Sequence, residues 1–437
     1  MKYKNVLIMG YKTSGEYVEK ILLDKKIPYM VYDKKYVKSG GKFLNKLKKD
    51  TLVNFDLAIV SPGISVYDKD MVKIKSLGIK VVGETEFSSW YIKTPIISVT
   101  GTNGKTTTTE LITHILKDKY SVRALGNIGK PLSSAVGDNK LDYIVNEISS
   151  FQLESISTYS PKIRVLLNID EDHLEWHKTK ENYINAKLKL FETNSTKTIS
   201  IVNKDDSNIK GVVSSIKGRV YTMSLVDLDS SIYADDSYIY YTYKTKGKIA
   251  LQDIKVNTNI YNVMASVLVS KILGLDDKTI INRLNTFKVS SHRMELVKKI
   301  NGITIINDSK STNPHSTLNA LRMIRGNSVV LLLGGYDKKL DFSEIFKVFA
   351  TKLKRVVAFG KCRNKVTKCA YKNGYKNVIK CKKFDDAVKE AYGVCTKGDS
   401  LLLSPATSSF DEFGSFIERG ERFKIIISKV ENFAKNK

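Results

Sequence analysis

The stretch Ile96-Ile97-Ser98-Val99-Thr100-Gly101-Thr102-Asn103-Gly104-Lys105-Thr106-Thr107 decides how the rest of this chain is read. Residues 96–99 have the apolar character of a buried strand, and the Gly-rich run after them leads into a helix. That is the setting a phosphate loop requires. Gly101 and Gly104 let the backbone curl so that its N–H groups, those of Thr102, Asn103 and Thr107 among them, point at phosphate oxygens. Lys105 supplies a point charge there, and the Thr106 hydroxyl can ligate Mg²⁺. The strict G-x-x-x-x-G-K-[ST] spacing is not met, because this loop is shorter, yet G-T-N-G-K-T-T-T at a strand end predicts ATP binding.

Working outward, further strand ends carry chemistry. Glu147 follows an expected strand at 143–146, where a carboxylate beside a phosphate loop can hold Mg²⁺; a structural acid at a helix start is the alternative. Another expected strand, 165–168, runs into Asp170-Glu171-Asp172-His173, an acidic cluster with a histidine that could ligate a second metal, position the incoming acid, or remain an exposed loop residue. Lys187 lies on a helical pattern and by itself reads as a solvated lysine. Residues 199–256 read as antiparallel hairpins, and 258–273 as a helix.

The N-terminal part alternates strands (6–9, 29–32, 57–60, 80–82) with helical patterns, the grammar of a small parallel sheet. Its first strand-to-helix turn carries Ser14 and Gly15, but without a G-x-G-x-x-G fingerprint. Asp33 ends the second strand, a place for a ribose or base contact or for a structural turn carboxylate. A third α/β part has expected strands at 303–306, 329–333, 355–359, 377–379 and 400–403. His292-Arg293-Met294-Glu295 precedes it, and Arg293 offers a planar fork for ribose or γ-phosphate. Three strand ends bearing Asp308, Lys310 and Thr312, then Lys338, then Ser409 predict an anion pocket.

The chain has 437 residues with 42% hydrophobic and 27% charged, which suits two or three globular domains. We expect boundaries at 1–93, 94–299 and 300–437. No stretch reaches the ~20 apolar residues of a membrane span, and the N-terminus lacks a secretory apolar core, so a cytoplasmic protein is expected. Cys362, Cys369, Cys381 and Cys395 form no C-x-x-C pair, which argues against zinc. The net charge of +27 raises nucleic-acid binding, but the lysines are spread along the whole chain with no RNP, zinc-finger or basic-helix signature.

Taken in order, G-T-N-G-K-T-T-T, E-x-S-S-F-Q-L-E, E-D-H-L-E, A-K-L, H-R-x-E, N-D-S-K-S-T-N, L-L-L-G-G, S-P-A-x-x-S-F-D and F-x-x-R-G resemble the Mur ligase family over essentially the whole chain. The resemblance implies an α/β protein of three domains: a Rossmann-like one for UDP-sugar, a central P-loop-type ATPase, and a Rossmann-like one that brings the amino acid. It implies a monomeric ligase of peptidoglycan precursor synthesis that joins D-glutamate to UDP-N-acetylmuramoyl-L-alanine through an acyl phosphate, with ATP as cosubstrate and two Mg²⁺ ions.

Carried over motif by motif, Lys105 and Thr106 serve the phosphates and first metal, Glu147 and His173 are metal ligands, and Lys187 matches a carbamylated lysine that binds the second metal. Asn259, Asn262, Arg293, Asp308 and Lys310 would contact ATP; Thr312, Lys338, Ser409 and Phe416 would hold D-glutamate. Ser14, Gly15, Asp33, Ser61, Gly63 and Asn127 would lie along the UDP-sugar. The family's usual histidine before the first Asn of the Asn259/Asn262 pair is Thr258 here, Thr407 and Ser408 replace a commoner Cys and Ala, and Lys339 stands where glycine is frequent. A Mur ligase for diaminopimelate or lysine, a folylpolyglutamate synthase and a P-loop kinase are the alternatives; no D-N-P-R motif supports the diaminopimelate enzyme.

Overall fold

The computed structural model describes residues 3–35, 42–44, 46–192, 197–256, 258–324, 326, 328–338 and 340–435; Lys339 lies outside them. Three sheets organise the chain. The first has five parallel strands in the order Phe43–Leu44, Tyr29–Tyr32, Val6–Met9, Leu57–Val60, Lys80–Gly83. Strands such as Val6–Met9 and Leu57–Val60 are buried at every position. Continuous apolar runs of this kind belong to parallel sheets covered on both faces.

The central sheet has nine strands. Ile96–Thr100 lies between Ile163–Leu166 and Tyr143–Glu147, all parallel. The chain leaves Ile96–Thr100 on one side and returns on the other, which opens a crevice at the strand's carboxyl end, where α/β sheets bind ligands. The helix Lys105–Leu116 packs Leu111, Ile112, Ile115 and Leu116 into the core beneath it.

The third sheet orders Glu295–Ile300, Ile303–Asn307, Ser400–Leu403, Val329–Gly334, Leu353–Phe359 and Val378–Lys380. The loops after residues 307, 403 and 334 therefore leave three adjacent strands.

Two expectations need correction. The region 199–256 is not a set of antiparallel hairpins: Ile199–Asn203, Arg219–Ser224 and Ile232–Ala234 extend the central sheet in parallel, and only Tyr238–Tyr243 and Thr245–Ala250 add antiparallel pairs. A strand's own residues carry no sign of its pairing direction, which is fixed by its neighbours. The third sheet also begins earlier than residue 303, with Glu295–Ile300 paired antiparallel to Ile303–Asn307.

The chain forms two compact units, one of residues 1–256 and 260–287 that holds the first two sheets, the other of 257–259 and 288–437. Within the first unit the short helix Glu84–Ser89 joins the two sheets. Glu86 accepts the backbone N–H groups of Ser157, Thr158 and Tyr159, each at 2.9 Å, and Glu84 accepts that of Ser133 at 2.6 Å. Burial alone would push Glu86 upward, but these donors outweigh it and hold the carboxyl below its usual range. Among the described residues no helix is long and apolar enough to cross a membrane.

Candidate active site

The phosphate loop is tied down from both sides. Thr102 N–H donates to Asn168 O at 2.9 Å, Asn103 N–H to Asn168 Oδ1 at 2.8 Å, and Asn168 Nδ2 returns to Asn103 O at 3.1 Å. The Thr102 hydroxyl is 2.9 Å from the Tyr183 hydroxyl. Gly104 has φ +84°, and a Cβ there would stand 2.4 Å from Asn262 Oδ1. Only glycine meets both demands, and Asn262, on the helix Ile260–Ile272, lies against the loop.

Two lysines converge on one oxygen. Lys105 Nζ is 2.9 Å from Gly101 O, and Lys187 Nζ is 2.8 Å from the same atom. Lys187 is 1% exposed, with its amine 4.7 Å over the Tyr183 ring. Burial first, then the Lys105 charge, holds the Lys187 amine well below its ordinary range, against the pull of Asp172 and Glu147. The residue that looks solvated in sequence is among the most buried in the chain.

Glu147 ends its strand at 2% exposure. Its Oε1 accepts from Asn127 Nδ2 at 2.9 Å, while Oε2 is buried without a protein hydrogen-bond donor. A buried carboxylate oxygen in that condition fits a cation beside the phosphate loop. His173 follows Ile163–Leu166 in a left-handed conformation (φ +55°), its side chain 37% exposed and its Nε2 3.6 Å from Asp172 Oδ2. Among the described residues no three His, Cys, Asp or Glu form a preformed metal cage.

On the first sheet, Ser14, Asp33 and Ser61 gather at the carboxyl edge. Asp33 is occupied by the backbone, accepting from Tyr11 N–H at 2.7 Å and Lys35 N–H at 2.8 Å. Ser61 Oγ donates to Gly10 O at 3.0 Å. A Cβ on Gly15 would meet Gly10 O at 2.3 Å, so glycine is required for the turn to close. Gly63 has open space around it. A narrow cleft runs from Ser61 and Ile64 past Glu84 to Phe151 and Gln152.

In the second unit Asp308 is buried behind three donors: Ser311 Oγ at 2.5 Å, Ser404 Oγ at 2.8 Å and Met294 N–H at 3.2 Å. Burial pushes its carboxyl up to about 6, partly offset by those donors and the nearby Arg293 charge. Lys310 Nζ lies 4.0 Å over the Phe416 ring. Ser409 is buried, and Thr312 and Lys338 are half-buried on the loops after residues 307 and 334. Asn259 belongs to this unit, whereas Asn262 belongs to the first.

Sequence reasoning missed Arg419, which is fully buried. Its guanidinium donates to Ser309 Oγ (3.0 Å), Ser309 O (2.8 Å) and Thr407 O (3.1 Å), bracing two of the three strand-end loops. The F-x-x-R-G motif held the signal, but nothing local shows which way a helical arginine points.

Comparisons with known proteins bear on the family. The Mur ligase middle domain matches residues 99–270, and the Mur ligase glutamate ligase domain matches 292–407. A UDP-N-acetylmuramoylalanine–D-glutamate ligase of Caldanaerobacter subterraneus is 36% identical over 97% of this chain and 98% of its own length. Its counterpart from Clostridioides difficile is 32% identical over 97% and 98%. Among solved structures, MurF ligase of Thermotoga maritima in complex with ADP shares the fold at TM-score 0.62 and 18% identity, covering 98% of this chain and 95% of that one. A pseudomurein peptide ligase of Methanothermus fervidus does so at 0.63 and 20%, covering 98% and 100%. The chain belongs to the Mur ligase family.

Proposed function

We propose that this enzyme joins the amine of D-glutamate to the alanyl carboxylate of UDP-N-acetylmuramoyl-L-alanine, with ATP converted to ADP and phosphate. The observation that carries the reading is the convergence of the Lys105 and Lys187 amines on Gly101 O in the same site as the donor-less Glu147 oxygen. The near-full-length likeness to D-glutamate ligases supplies the substrates. A carboxylate is a poor electrophile, so its oxygen first attacks the γ-phosphorus and ADP leaves. The amine then adds to the acyl phosphate, loses a proton, and expels phosphate carrying the former carboxylate oxygen.

In this reading the loop amides of 101–107 and Lys105 hold the β- and γ-phosphates against the repulsion of an anionic nucleophile. Glu147, Thr106 and His173 hold Mg²⁺, which when bound neutralises charge between phosphates and carboxylate. Two ions are expected, the second held by Lys187 as a carbamate. The buried amine, held below its ordinary range, is available in the neutral form that adds CO₂ with loss of a proton.

Asn259, Asn262, Arg293, Asp308 and Lys310 serve the nucleotide, and Thr312, Lys338, Ser409 and Phe416 hold D-glutamate. Ser14, Gly15, Asp33, Ser61, Gly63 and Asn127 follow the UDP-sugar, with Asp33 acting through the Tyr11 amide it fixes. The three parts 1–93, 94–299 and 300–437 divide these tasks, in a monomer. ATP and a nucleotide-sugar substrate put the reaction in the cytoplasm.

The test is isotopic. With ¹⁸O in the alanyl carboxylate, the released phosphate should carry one ¹⁸O per turnover. Unlabelled phosphate alongside amide product would rule out the acyl phosphate.

A further inference from the structure

Beyond His173 the chain makes a single helical turn, Leu174–His177. A turn this short has no stability of its own, because nucleating a helix fixes several residues for one hydrogen bond. Two non-glycine residues with positive φ bound it, His173 (φ +55°) and Lys178 (φ +69°). Such strain persists only where the surroundings overdetermine it.

The neighbouring helix Ser150–Leu153 and its capping Glu154 provide those surroundings. His177 has no exposed surface. Its Nε2 lies 3.0 Å from Ser150 Oγ, and its Nδ1 lies 2.9 Å from Glu154 Oε1, an ion-pair distance off the axis of a ring N–H bond. Trp176 Nε1 donates to the other oxygen of Glu154 at 2.9 Å. Phe151 lies parallel to the His177 imidazole (5.6 Å, 9°) and meets the His173 ring edge-on (4.8 Å, 61°). His177 also packs edge-on against Tyr183 (5.2 Å, 67°), whose hydroxyl touches the Thr102 hydroxyl of the phosphate loop. Ser150, His177 and Glu154 stand in the order of a nucleophilic triad, but Ser150 is 3% exposed and faces packed rings, so a positioning role suits the cluster better.

We propose that His177 is a positioning residue for the ligation: by bridging Ser150 and Glu154 it seats Phe151, and Phe151 sets the orientation of the His173 imidazole. This rests on the reading of His173 as a metal ligand. Groups behind a ligand that orient it are a recognised lever on metal affinity.

The chain has five histidines, few enough for each imidazole to be followed by NMR in ¹⁵N-histidine protein. His177→Phe keeps a ring but removes both polar contacts; Ser150→Ala removes the hydroxyl and Ser150→Thr retains it. Mn²⁺ binding in the presence of ADP is read from the free-ion EPR signal, alongside ADP affinity and Tm. We expect His177→Phe and Ser150→Ala to shift the His173 ring signals and weaken Mn²⁺ binding about 10- to 100-fold. ADP affinity should stay near wild type, and Ser150→Thr should restore both readouts. Unchanged His173 signals, or parallel losses in Tm, ADP and Mn²⁺ with no selective effect on the ion, overturn the proposal. Should His177→Phe fail to fold, the Ser150 pair decides alone. If His173→Ala also leaves Mn²⁺ binding unchanged, the ligand reading itself has failed and the positioning role falls with it. If His173→Ala weakens binding but the other variants do not, only the positioning role is lost.

Discussion

Glu147 and Asp308 are both buried carboxylates at the carboxyl ends of parallel strands, one in the central sheet and one in the third. Their surroundings differ. Asp308 is enclosed by two hydroxyls and a backbone amide, whereas Glu147 keeps one buried oxygen without a donor. Leaving a buried charged acceptor unsatisfied costs about 1–3 kcal/mol or more, so such an oxygen is tolerated where a cation completes it. In the proposed mechanism the first carboxylate meets the metal ion, while the second serves the nucleotide from a setting whose donors already engage both its oxygens.

Substitutions sharpen that contrast. Glu147→Gln keeps the shape and the contact with Asn127 but removes the charge. Phosphate release should fall by about 10²- to 10³-fold, with Tm unchanged or raised because an uncompensated buried charge is gone. A loss of Tm with activity retained would make Glu147 structural. Lys187→Ala should lose activity on a similar scale, about 10²-fold, and recover part of it with a short-chain carboxylic acid that replaces the missing anion. Full activity without rescue would remove the carbamate.

On the scaffold side, Arg419→Met strands the carbonyls of Ser309 and Thr407. It should lower stability by about 3 kcal/mol in denaturant unfolding and raise KM for D-glutamate more than KM for ATP. The smallest effect is a pH slope. Because the folded Asp308 carboxyl titrates at about 6, above its unfolded value, the folded state binds the extra proton. Its stabilisation is present at pH 4 and is lost as pH rises towards about 6, by about 3 kcal/mol at most. Asp308→Asn should flatten that slope in urea unfolding between pH 4 and 7; an unaltered slope would assign it to other groups.

The same contrast explains what could be read from sequence. The phosphate loop is local: glycines, lysine and threonines stand side by side after an apolar run, so the strand end and its ligand class were both legible. The place of Glu147 at a strand end near that loop was legible for the same reason. Lys187, His177 and Arg419 were not legible from their own neighbourhoods, because burial is conferred by partners 86, 27 and 110 residues away; family likeness alone pointed to Lys187. Asp33 was open to two readings in sequence, and the backbone amides of Tyr11 and Lys35 show its structural side. The parallel course of Ile199–Asn203, Arg219–Ser224 and Ile232–Ala234 was hidden because register is fixed by neighbouring strands and not by the strand's own residues.

The most direct test of the account is ATP-dependent phosphate release with UDP-N-acetylmuramoyl-L-alanine, comparing D-glutamate with L-glutamate, L-lysine and diaminopimelate. The account predicts release with D-glutamate alone. Release with another amine would keep the ligase chemistry but contradict the assigned substrate, and ATP turnover without any amine would contradict the ligase.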